Sequence, residues 1–337
     1  MNITFLIGNG FDLNIGLKTR YQDFYDYLKS SGTLSDINDK MKDLNNNSEI
    51  DLSTAMWSDL ELGLGKFTNF FDFNHSDYVD FVEKIIYALA SYIENEQNKI
   101  KWDTGEVNTC MRKSIYTFYN YLSKRDKAII SNIISGKDCT YRFISYNYSL
   151  IINKCIKIAY DNRNRSDGML YMPVNIHGTT NIDMFLGVDN ESQISNKIML
   201  DNPYIRNLLI KPEASFNTGK QIYEECISLI DSSNIICLYG LSIGETDTTW
   251  WKQICKWLTN EKNYLVIFAY KDSIKNLIPA SRLELEESCR RQFLSYSDLP
   301  KEKQDIISKR IILSINSEMF KMKLANDKSV TKELTTV

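Results

Sequence analysis

Apolar residues recur along this chain in two rhythms. Some form short unbroken runs that stop at glycine or a polar residue, and others recur three and four positions apart. The first run, Ile3 to Ile7, ends at Gly8, the pattern of a strand buried on both faces. Comparable runs follow as "YRFISY" (141–146), "YMPVNIH" (171–177), "NIICLYG" (234–240), "YLVIFAY" (264–270) and "RIILSI" (310–315). Helical spacing fills most of the gaps, at 148–160, 218–231, 246–260 and 280–292. Buried strands alternating with helices predict a mostly parallel sheet covered on both faces, a doubly wound α/β fold.

The first strand is followed by a different texture. Thr19 is placed to cap a helix with Gln22, leaving Tyr21, Phe24, Tyr25 and Leu28 on one face. Polar residues and glycine then cluster from about Ser31 to Asn47, which reads as a loop. "MWSDLELGLGKF", "DYVDFVEKIIYALASYIENEQ" and "MRKSIYTFYNYLSKRDKAIISNII" all carry helical spacing. The expected organisation is therefore one unit from 1–30 and 139–320, a helical insertion at 31–138, and a polar, frayed tail at 321–337.

Composition narrows the partners. Formal net charge is -3, so no global basic field draws nucleic acid, which is not an expected partner. No apolar run approaches the ~18 residues of a membrane span. The chain enters a strand at once, without the basic region and cleavage site of a signal peptide. Its seven cysteines include no C-x-x-C pair, so neither a disulfide framework nor a bound metal is expected, and the compartment expected is the reducing cytoplasm.

Ligands of open parallel sheets sit beyond the carboxyl ends of the strands. Four polar stations lie at such ends: Gly8-Asn9-Gly10-Phe11-Asp12, Asn147, His177-Gly178, and Gly240-Leu241-Ser242-Ile243-Gly244 followed by Thr246 and Asp247. The glycine turn permits close backbone approach and looks suited to phosphate. Leu13 stands where the dinucleotide fingerprint wants its third glycine. His177 is one of two histidines, the other being His75 in a polar stretch that reads as a loop, and an imidazole at a strand end can act as a general base. Asn147 can orient a water or a sugar hydroxyl. Capping roles fit Asp12, Asn147, Thr246 and Asp247 equally well, and His177 is equally consistent with a structural histidine.

The blocks "FLIGNGFDLNIGLKTRYQDF", "MWSDLE" around Trp57 and Glu61, "FISYNYS", "NIHGT", "FLGVDN" and "LYGLSIGETD" resemble, in order, those of the AbiH family. Its members protect bacteria against bacteriophage by abortive infection. Leu241 departs from relatives, which often carry His there. AbiH in turn is similar to the sirtuin-like, Rossmann-like fold, in which a glycine turn holds the NAD pyrophosphate. There an Asn orients the nicotinamide ribose, a His before Gly serves as base, and a G-x-S turn faces the adenosine half. "GLKTRYQDF" resembles the cofactor loop of that fold. The zinc ribbon of the deacetylases has no counterpart among these cysteines.

The resemblance implies roles for Gly8, Gly10, Asn147, His177, Gly240 and Ser242, with NAD as substrate or ligand. Together with the strand-end stations this gives an expected catalytic set of His177, Asn147 and Asp12, and an expected nucleotide-binding set of Gly8, Asn9, Gly10, Phe11, Gly178, Gly240, Ser242 and Asp247. The expected activity is hydrolysis of an N-glycosidic bond by an anti-phage effector, with a phage-derived trigger and a homo-oligomer as further partners. The alternative is a non-catalytic nucleotide or phage-ligand sensor acting through a partner protein, with the Tyr- and Phe-rich insertion as its surface.

Overall fold

The computed structural model describes residues 1–32, 59–71, 75–271 and 279–325. Most of the polar stretch at 31–47, Trp57 and the last twelve residues lie outside them.

A seven-stranded sheet runs through the molecule. Its strands are β1 (Asn2–Ile7), β2 (Thr140–Ser145), β3 (Met169–Leu170), β4 (Val174–Asn175), β5 (Ile235–Tyr239), β6 (Tyr264–Ala269) and β7 (Ile311–Ile315). The order is β3-β2-β1-β5-β6-β7, with β4 also pairing with β2, and every pairing is parallel. The α/β expectation holds. The run at 171–177 is not one strand, because β3 ends before Tyr171 and β4 begins after Pro173. Proline brings no N–H to a ladder and breaks the run.

Chain order explains the crevice. From β1 the chain builds β2, β3 and β4 on one side, then returns to build β5, β6 and β7 on the other. The switch point lies between β1 and β5, where doubly wound sheets leave room for a ligand.

Period-two alternation divides the apolar strand residues between two cores. Ile3, Phe5 and Ile7 join Phe143, Cys237 and Val266 beneath the helices Thr104–Tyr116 and Ile151–Asp161. Leu6, Ile144, Ile236 and Leu265 face the helices Ile222–Asp231, Thr248–Trp257 and Pro279–Ser295. With both faces covered, the strands read as continuous apolar runs.

A third core stands apart. The helix His75–Gln97 buries Tyr78, Val82, Ile85, Leu89 and Ile93, a stripe at three- and four-residue spacing. It packs with the helix Leu60–Phe67, with Phe24 and Leu28, and with Leu186, Val188, Ile205 and Leu209. The helical content read at 31–138 is thus shared between two cores, since Val107, Met111, Ile115 and Ile130 pack beneath the sheet. The short helices Pro203–Leu209 and Lys211–Asn217 arise where no element was expected.

Local expectations change in three places. His75 opens a helix rather than lying in a loop. Thr19 does not cap the helix Tyr21–Ser30, because Arg20 precedes it with Asp23 accepting from its N–H, while the Thr19 hydroxyl bonds Asn9 Oδ1. The tail is anchored as far as Ala325, with Met322 and Leu324 buried and Ala325 bridging to Ile100.

Candidate functional site

Strand register sets one rim. Ile7 lies level with Ser145 of β2 and Tyr239 of β5, and Ser145 is level with Asn175 of β4. The next residues of each segment, Gly8, Tyr146-Asn147, Ile176-His177 and Gly240, therefore rise together above the switch point. They enclose a cavity of about 220 Å³.

Of the residues expected at a site, Gly8, Asn9, Asp12, Asn147, His177, Gly240, Ser242 and Asp247 line this cavity. Gly10, Phe11 and Gly178 do not. The Phe11 ring is fully buried in the core, 5.4 Å from the Phe320 ring. Gly178 adopts φ +69 and lies so close to the Asp183 backbone that a Cβ would meet its carbonyl oxygen at 1.7 Å, so its role is a tight turn.

The first glycine turn packs against the turn after β5. The N–H groups of Gly8, Gly10 and Phe11 already donate to the carbonyls of Tyr239, Gly240 and Gly8. A Cβ on Gly10 would stand 2.4 Å from the Cα of Gly240. Glycine is required there because two turns from neighbouring strands touch. The short helix that follows, Gly10–Asn14, has no side-chain cap.

Asp12 is 1% exposed and does not cap that helix. Its carboxyl group accepts from Asn147 Nδ2 at 3.1 Å and from Ser149 Oγ at 2.5 Å. Burial pushes its pKa up to about 7, against the two hydrogen bonds that favour the charged form. Asn147 therefore reaches across from β2 to β1 instead of capping a helix. Its Oδ1 is buried without a partner.

His177 is 2% exposed, and its ring meets Tyr146 edge-on at 5.3 Å between centroids. Its Nε2 lies 3.1 Å from Asp247 Oδ1. Burial works against the charged form of Asp247, yet the Lys211 ammonium and the His177 bond hold it well below the usual carboxylate range. An ionised carboxylate only accepts, so the neutral imidazole carries its proton on Nε2. Its Nδ1 is buried without a partner, and in the neutral ring it holds the lone pair.

A second layer of the site was not legible in the sequence. Lys211, 1% exposed, donates to Glu61 Oε2 at 2.7 Å and to Asp247 Oδ1 at 3.1 Å. Burial opposes its charge, but Asp247 and Glu61 outweigh it and keep the ammonium well above its ordinary pKa. Glu61 Oε1 accepts from Tyr21 Oη at 2.7 Å and lies 3.1 Å from Tyr148 Oη. This network ties the helix Leu60–Phe67 to the sheet. Glu61 figured only within a family block, and Lys211 in no motif, since its partners stand 150 and 36 residues away.

A family model described as bacteriophage abortive infection AbiH matches residues 4–270, which include every residue of this network. No curated protein matches the chain.

Proposed function

The chain belongs to the AbiH family of bacteriophage abortive infection proteins, and on that premise we propose that its pocket cleaves the N-glycosidic bond of NAD or a related nucleotide by hydrolysis. The observation that carries this reading is the meeting of Asp12, Asn147 and His177, from three different strand ends, around one cavity.

Glycosidic hydrolysis passes through an oxocarbenium-like state and needs groups in unlike protonation states. The pocket has them, with Asp12 raised to about 7 and Asp247 held ionised. In the proposed reaction a water attacks the ribosyl C1′ while the C1′–N bond breaks and its electron pair leaves with the base. The water's proton passes to His177 Nδ1, whose Nε2–H is anchored on Asp247. Asn147 Oδ1 accepts from a ribose hydroxyl, and Asp12, ionised above about pH 7, supplies negative charge beside the developing cation. At about 220 Å³ the cavity is smaller than the ~300–1,000 Å³ of sites that enclose a drug-sized ligand. It suits a base and one ribose, with the phosphates outside.

The test is to incubate purified protein with NAD, with and without lysate of phage-infected cells, and to measure released nicotinamide and ADP-ribose beside His177→Ala. Release that depends on His177 supports the enzyme. Binding of NAD with no release under either condition, in a protein that still arrests phage growth, replaces it with a sensor.

A further inference from the structure

The charge of the pocket wall selects its ligand. Four carboxyl-bearing residues line it, Asp12, Asp59, Glu61 and Asp247, and no lysine or arginine does so among the described residues. One ammonium lies behind them, and Lys211 spends two of its three donors on Glu61 and Asp247. One ammonium cannot balance four acids, so the carboxylates outnumber it wherever two or more are ionised.

A second observation is independent of charge. Asn147 Oδ1, an acceptor, and His177 Nδ1, an acceptor in the neutral ring, are buried without partners on residues 4% and 2% exposed, and both residues line the cavity. A buried acceptor requires a donor, so the occupant must bring N–H or O–H groups. Phosphate or carboxylate would bring acceptors alone, set against like charge. Tyr21, Tyr146 and Tyr148 also line the cavity, and aromatic side chains attract organic cations. Among the described residues no group of three or more His, Cys, Asp or Glu could hold a metal ion.

We propose that this pocket is a receptor for an organic cation bearing hydroxyl donors, namely the positively charged base-and-ribose end of an oxidised pyridine nucleotide. It rejects the neutral reduced form and leaves phosphate outside. The proposal rests on the reading above for the ribose, and not on turnover.

Nicotinamide riboside (cationic), dihydronicotinamide riboside (neutral, with the same ribose) and ADP-ribose (anionic) are titrated into the full chain by calorimetry. The His177→Ala protein is titrated in parallel, so that hydrolysis does not consume the probe. The expected result is tenfold or greater preference for the cationic riboside over the neutral one, with ADP-ribose weakest. At pH 8, where the Asp12 carboxyl group is ionised, Asp12→Asn is expected to weaken the cation at least fivefold and to leave the neutral riboside within twofold. Equal affinity for the two ribosides, tighter binding of ADP-ribose, or no cation binding at millimolar concentration overturns the proposal. Nicotinamide is assayed in the same wild-type samples. Selective binding, with no nicotinamide released from NAD either with or without lysate of phage-infected cells, keeps the cation receptor and removes the hydrolase, whereas release without charge preference does the reverse.

Discussion

Replacing Asp12 by Asn isolates the cost of burying one carboxylate. In the folded chain this group holds its proton up to about pH 7, whereas an unfolded Asp releases it near 3.8. Between those values the folded state binds more protons, so stability falls as pH rises and levels off above the folded value. Each pH unit of that window is worth 1.36 kcal/mol, giving roughly 4 kcal/mol in all. Asparagine is nearly isosteric and neutral. Its oxygen can still accept from Asn147 Nδ2, and its amide can donate to Ser149 Oγ, a hydroxyl able to accept as well as donate. The difference in unfolding free energy between wild type and Asp12→Asn cancels every other titrating group. Measured by urea denaturation from pH 4 to 8, it should move by about 4 kcal/mol in favour of the variant as pH rises. A difference constant to within about 0.5 kcal/mol would refute the claim that the carboxyl group is buried and protonated at low pH. The same variant should lose nicotinamide release, so gain of stability at pH 8 and loss of activity should come together.

Other expectations follow from the same geometry. His177→Ala should lower nicotinamide release by on the order of 10²–10⁴, the usual contribution of a general base, with the circular dichroism spectrum unchanged. Lys211→Met should leave Glu61 and Asp247 buried without their cation and cost about 3–5 kcal/mol in a urea titration, part of which Glu61→Gln in the same chain should restore. Gly10→Ala should cost over ~2 kcal/mol, since its Cβ would collide with Gly240, whereas Gly244→Ala, with open space around it, should stay within about 0.5 kcal/mol. All seven cysteines are free thiols, so reductant should leave the melting temperature unchanged and a thiol titration in denaturant should count seven.

The sequence by itself determined the sheet and its rim. A strand covered on both faces needs apolar side chains at consecutive positions, and that local requirement marks β1, β2, β5, β6 and β7 without knowledge of their neighbours. The turn residues that must follow buried strands marked Gly8, Asn147, His177 and Gly240, and all four meet at the cavity, while Gly10, Phe11 and Gly178 do not line it. What each side chain does there depended on partners distant along the chain. A glycine pair looks the same whether it receives phosphate or another turn, and only the Gly240 backbone standing against Gly10 separates the two. Asp12 and Asn147 could each have capped a helix until the fold brought them 3.1 Å apart. Lys211 carried no local signal at all, because a buried lysine is stable only through acids that other segments deliver. Tertiary structure therefore decided the charge of the pocket, because electrostatic energy depends on distance in space and on burial, neither of which spacing along a chain encodes.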